Sequence, residues 1–147
     1  MASGDNGSYA QVAKDVGYAE LATDSTTYGD TESGSLMSVT CNLISGVKYD
    51  ILLVANVGVD VANDGSILRV RDNSATGTQL IGPQRFVGST SSVGEGVVGK
   101  ARYTAAATGS RTFHVTGDRN SGTGTAHRIR AGAGRVTSLT VTRVVEP

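Results

Sequence analysis

The sequence predicts an all-β protein: an antiparallel β-sandwich of the jelly-roll type with about eight or nine strands. Three observations carry this. Lys48–Val61 places Tyr49, Ile51, Leu53, Ala55, Val57, Val59 and Val61 on one face at period two. A helix would need its apolar residues every three or four positions. Glycine is abundant at 20 residues while proline is scarce at 2, as tight turns between strands require. Strand-like runs then recur with a turn signal about every 8–15 residues, with no internal repeat and no alternation of strands with helices.

Lys48–Val61 is the longest and most apolar run and is expected at the centre of a sheet. Asp50, Asn56, Gly58 and Asp60 fall on its second face, interrupted by Leu52 and Val54. Those two are too apolar for free solvent, so a cover is expected: the second sheet's edge, the N-terminal arm or another subunit. Before this strand, residues 1–17 read as a polar arm anchored by Tyr9, Val12 and Val16, with a short helical turn near Gln11–Val16. Residues 18–147 read as one sandwich domain. Tyr18–Thr23 is the expected first strand, and Asp24–Ser35 a long polar loop. In Leu36–Ile44, Met37, Val39, Cys41 and Leu43 alternate inward.

After the central strand, Asn63-Asp64-Gly65-Ser66 signals a turn. Ile67–Arg71 returns with Leu68 and Val70 inward. Gln79–Val87 contains Gly82-Pro83, and proline cannot donate to a ladder, so this strand belongs on an edge or carries a bulge. Val97–Ala105 points Ala101 and Tyr103 inward. Arg111–Thr116 points Phe113 and Val115 inward, and Gly117–Gly124 reads as a loop. Thr125–Ala131 buries Ile129, and Arg135–Val145 closes the core with Leu139 and Val141.

The bulk numbers bound the rest. A chain of 147 residues fits one domain. Two Phe, five Tyr and no Trp leave the core to Val, Leu, Ile, Ala and Tyr. A single Cys excludes an internal disulfide. There is no apolar run long enough to span a membrane, and the first residues lack the regions of a signal peptide. A soluble product of the cytosol is expected. Net charge is zero but unevenly spread. Asp5, Asp15, Glu20, Asp24, Asp30 and Glu32 face only Lys14 within residues 1–34, whereas Lys100 and seven arginines crowd residues 100–147. These charges compensate either within one fold or between subunits. A neutral chain lacks the basic surplus that nucleic acid demands.

No motif points to chemistry. Gly94-Glu-Gly-Val-Val-Gly99 fits a nucleotide-loop pattern, but a strand, not a helix, is expected to follow it. Asp60-Val-Ala-Asn-Asp-Gly65 faintly resembles a calcium loop, yet its third position is Ala and Arg71 stands where a Glu is needed, so it reads as a turn. His114 and His127 read as solvated surface residues, and with one Cys they give no zinc spacing. Asn6-Gly-Ser8 matches a glycosylation sequon without a secretory context. No nucleophile stands beside an oriented base. The expectation is therefore a non-enzymatic protein without catalytic residues, cofactor or metal.

A resemblance supplies a function. Tyr9-Ala-Gln-Val12 opens the chain, and Leu36–Ile44 leads through Gly46 to the long strand and Leu68-Arg-Val-Arg71. Ala107-Thr-Gly-Ser-Arg-Thr-Phe-His-Val115, Arg119-Asn-Ser-Gly-Thr-Gly-Thr125 and Leu139-Thr-Val-Thr-Arg-Val-Val-Glu-Pro147 follow. This order resembles small β-sandwich virion proteins of tailed phages and prophages, especially of actinobacteria. The resemblance implies a capsid decoration protein on the outer capsid surface, with the major capsid protein as partner, made in the bacterial cytoplasm. The alternative within the same family is a minor tail or fibre-associated protein binding a carbohydrate or receptor, for which Tyr9, Tyr18 and Tyr28 are the available aromatics. A homotrimer is expected, with Tyr9, Val12, Val16, Leu52 and Val54 as partner contacts.

Overall fold

The computed structural model describes residues 15–89, 95–132 and 134–145. Tyr9 and Val12 lie outside them, as does most of the helical turn expected near Gln11. Among the described residues there is no helix. Nine strands form two antiparallel sheets: β1 Asp15–Glu20, β2 Met37–Leu43, β3 Lys48–Gly58, β4 Gly65–Asp72, β5 Gln79–Val87, β6 Glu95–Thr104, β7 Gly109–Ser121, β8 Arg128–Arg130 and β9 Ser138–Arg143. One sheet runs β1-β9-β3-β6, with the short β8 also paired to β3, and the other runs β2-β7-β4-β5. Setting β8 aside, the first strand pairs with the last, the second with the second-last, and so on inward: β1 with β9, β2 with β7, β3 with β6, β4 with β5. That nesting is the jelly roll.

β3 is central because its inward face admits no polar residue. Tyr49, Ile51, Leu53, Ala55 and Val57 are almost wholly buried, and β6 and β9 flank the strand along most of its length. The facing sheet supplies Val39, Cys41, Leu68, Val70, Phe113 and Val115. The alternation expected in β2 holds: Met37, Val39, Cys41 and Leu43 are buried and the residues between them exposed. Burial pushes the Cys41 thiol up from its ordinary range. β5 is an edge strand, and its register against β4 slips where Gly82-Pro83 lies between Ile81 and Gln84, so proline sits in a bulge on an edge.

Four expectations need correction. The first strand is Asp15–Glu20 rather than Tyr18–Thr23, so the sandwich takes up Asp15, Val16 and Gly17 from the expected arm. Pairing with β9 sets these limits: Asp15 stands opposite Thr142 and Glu20 opposite Ser138. The central strand stops at Gly58; Val59 is still buried, but Val61 is 39% exposed in the turn that follows. β7 continues to Ser121, because residues 117–119 and Ser121 pair with β4 despite the turn-forming Gly117 and Asp118. Tyr28, in the polar loop, is buried and shares a 2.8 Å hydrogen bond with Ser66 Oγ. Its ring fits because residue 117 is glycine; a Cβ there would crowd it.

The charge imbalance closes partly within the chain. Arg130 Nη1 donates to Asp24 Oδ2 at 2.8 Å, and Arg119 stands 3.8 Å from Asp30. Glu32 takes two hydrogen bonds of 2.6 Å from Arg71, which hold its carboxyl below the usual range, and Thr116 adds a third.

Candidate functional site

The two sheets present different outer faces. On the four-stranded sheet, paired charges fill the surface. Arg69 Nη1 donates to Asp118 at 2.6 Å, and Arg71 grips Glu32 through two bonds of 2.6 Å. Polar residues there answer one another, as in the 2.8 Å bond between Thr40 and Thr112 hydroxyls.

The five-stranded sheet differs because its outward residues are apolar at the middle. Register places Tyr18, Thr140, Leu52 and Lys100 side by side across β1, β9, β3 and β6. The next row is Glu20, Ser138, Val54 and Val98. Alternation puts both rows on the outer face, since the residues between them are the buried Leu53 and Leu139. Leu52 and Val54 are half-buried, Val98 is 62% exposed and Tyr18 56%. Val136, also exposed, lies just before β9, and its carbonyl accepts a bond from Asn56 Nδ2.

Charged groups frame this strip at one end. Asp50 accepts two bonds from Arg102, and Lys100 Nζ lies 3.0 Å from its Oδ2. The Arg102 guanidinium holds the Asp50 carboxyl below its ordinary range, and Lys100 adds to the effect. Lys100 stands opposite Leu52 in register, and its ammonium reaches Asp50. At the β1 edge the Tyr18 hydroxyl donates to Glu20, which pushes the phenol up. The strip can bind a complementary surface by apolar contact, with charges at its rim to set orientation.

Of the expected contact residues, the structure brings Leu52 and Val54 together on this face. Val16 is half-buried against the core from β1 and belongs to the fold rather than to a free arm. Tyr28, considered above as a sugar platform, is inside the protein. Val98 and Val136 were not singled out from the sequence. Alternation from the inward Ala101 and Tyr103 puts Val97 inward and Val98 outward, as observed.

One further cluster lies away from this face. The turn after β3 supplies Asp60 and Asp64, and the segment before β8 supplies His127. His127 is completely buried, not solvated as expected, because its backbone bridges to Tyr28 in both directions and its ring meets the Tyr28 ring edge-on at 5.9 Å. His114, by contrast, is partly exposed, with Nδ1 2.9 Å from Ser35 Oγ. Gly96–Gly99 of the glycine pattern lie inside β6, and no helix follows.

No protein-family model matches the chain, and no curated protein matches it. Solved structures share its fold. The VP2 subviral particle of infectious bursal disease virus matches with a TM-score of 0.51 at 10% identity, over 91% of this chain and 33% of that one. The CBM22-1–GH10 modules of Clostridium thermocellum xylanase 10B, complexed with xylohexaose, give 0.49 at 15% identity, over 92% and 30%. The EclA C-terminal domain, described as a sugar-binding protein, gives 0.46 at 13% identity, over 94% and 88%. The chain thus spans about a third of the xylanase and of the VP2 chain, and at these identities the likeness is one of fold.

Proposed function

We propose that this protein is a non-catalytic virion structural protein of a tailed phage, a decoration protein that docks on the outer capsid surface. The observation that carries the proposal is the strip of Tyr18, Leu52, Val54 and Val98. It is an outward apolar surface, whereas the opposite sheet's outer face carries ion pairs and hydrogen-bonded polar groups. Apolar strips with a charged rim are what protein interfaces bury. A jelly roll as a builder of particle surfaces has a fold-level parallel in VP2, solved as a subviral particle. In this reading the major capsid protein is the partner and the molecule acts as a homotrimer, with the segment before β1 reaching neighbours. Asp24 and Arg130, and Asp30 and Arg119, pair within one chain, so charge contributes little to subunit contacts and the apolar strip carries them.

A ligand that binds only the assembled lattice stabilises it by mass action. Particles carrying the protein are therefore expected to rupture at higher temperature and under stronger osmotic shock than particles lacking it. Equal thresholds would sink the decoration role.

One observation favours a second reading, a tail or fibre module that binds carbohydrate: Tyr18 is an exposed aromatic on the same face. Glycan binding lost on Tyr18→Ala, in a protein that still folds, would select it. Tyr28→Ala cannot serve, because that ring is core.

A further inference from the structure

We propose that Asp60, Asp64 and His127 form a binding site for a divalent transition-metal ion of the zinc type. The ion would tie the loop between β3 and β4 to the loop between β7 and β8. This inference is independent of the docking face.

Three features of the site point to a ligand. His127 is fully buried, yet neither ring nitrogen has a hydrogen-bond partner among the described residues. A buried imidazole without partners is costly, and proteins rarely leave one so. Its Nε2 lies 3.5 Å from Asp60 Oδ1 and 3.5 Å from Asp64 Oδ2. Two ligands bound at about 2.0–2.2 Å to a tetrahedral ion stand roughly 3.3–3.6 Å apart, so both spacings suit a shared ion. Among the described residues, no lysine or arginine pairs with either carboxylate, and so two converging negative charges lack another counterion.

The carboxylates are also held in place, as ligands are when outer contacts fix them. Asp60 Oδ2 accepts from the backbone N–H groups of Thr125 and Ala126 at 2.9 and 3.0 Å, leaving Oδ1 turned to the imidazole. Asp64 Oδ2 accepts from Thr123 and Gly124. The two side chains converge over Gly124, where a Cβ would overlap both Asp60 Oδ1 and Asp64 Oδ2. Gly122 beside it has φ of +97° and leaves room for Asp64 in the same way.

The donor set selects the metal class. One imidazole nitrogen with two carboxylates suits zinc and its first-row neighbours, whereas calcium seeks six to eight oxygens and magnesium an octahedron of oxygen and water. Asp60 is partly exposed, so solvent can complete the coordination. The sequence pattern hid the site, because the calcium-like turn contributes only two ligands and the third lies on another loop.

The test uses untagged protein dialysed against EDTA and then titrated with zinc chloride. We expect uptake of one ion per chain, a higher melting midpoint that EDTA reverses, and no comparable effect of magnesium. The imidazole NMR signals of His127 should shift on zinc addition while those of His114 stay in place. Asp60→Asn keeps an acceptor for the Thr125 and Ala126 N–H groups, so it should fold and bind zinc at least about tenfold more weakly. Absence of zinc uptake by the folded protein would overturn the proposal. So would unchanged affinity in Asp60→Asn, or a response confined to His114.

Discussion

Phe113→Ala is expected to remove about 3–5 kcal/mol of folding stability, a large part of the roughly 5–15 kcal/mol that holds a domain of this size together. Phe113 is completely buried at the middle of β7, and its ring meets Tyr103 of the opposite sheet edge-on, with centroids 5.3 Å apart. It therefore joins the two sheets where the chain has few aromatics to spend. Removing the ring leaves a cavity beside Tyr103 in the core, and paired strands cannot close on it without breaking register. Phe113→Leu, which keeps most of the volume, should cost much less. Urea unfolding of the two variants checks this. A loss below about 1 kcal/mol for alanine would show that the sheets are not joined through this residue.

Val98→Lys is expected to leave folding within about 0.5 kcal/mol of wild type and to weaken particle binding by about 2–4 kcal/mol, on the order of a hundredfold or more in Kd. Val98 is 62% exposed, so the new ammonium meets water in the free protein. In a docked complex the same group would stand against Val54 in the middle of the apolar strip, where a buried unpaired charge is expensive. Thr40→Lys, on the outer face of β2, is the control and should bind normally. Cosedimentation with particles that lack the protein measures both. Wild-type binding by Val98→Lys would move the interface elsewhere.

The fold was legible wherever one face of a strand is buried and the other wet. In β2 and β3 the period-two pattern marked the inward residues, and in β5 the Gly82-Pro83 pair marked an edge and a bulge. What stayed hidden depends on long-range partners. Gly117 and Asp118 favour a turn, yet β4 pairs with them and keeps them in the sheet, with Asp118 bonded to Arg69. Tyr28 looked free because its neighbours are polar, and only the proximity of Ser66 and His127 explains its burial. The outward apolar face was half legible. Leu52 and Val54 broke an otherwise polar alternation, but their neighbour Val98 becomes visible only once the β3–β6 register is known. The Asp60–Asp64–His127 cluster escaped for a different reason: its members are brought together by loops more than sixty residues apart in the chain.

The reading as a decoration protein is tested most directly by the copy number of this chain in purified virions, measured by quantitative mass spectrometry against the major capsid protein. The account predicts copies in fixed proportion to the coat subunits, retained after the tails are removed. A handful of copies that leave with the tails, or no copies at all, would contradict it.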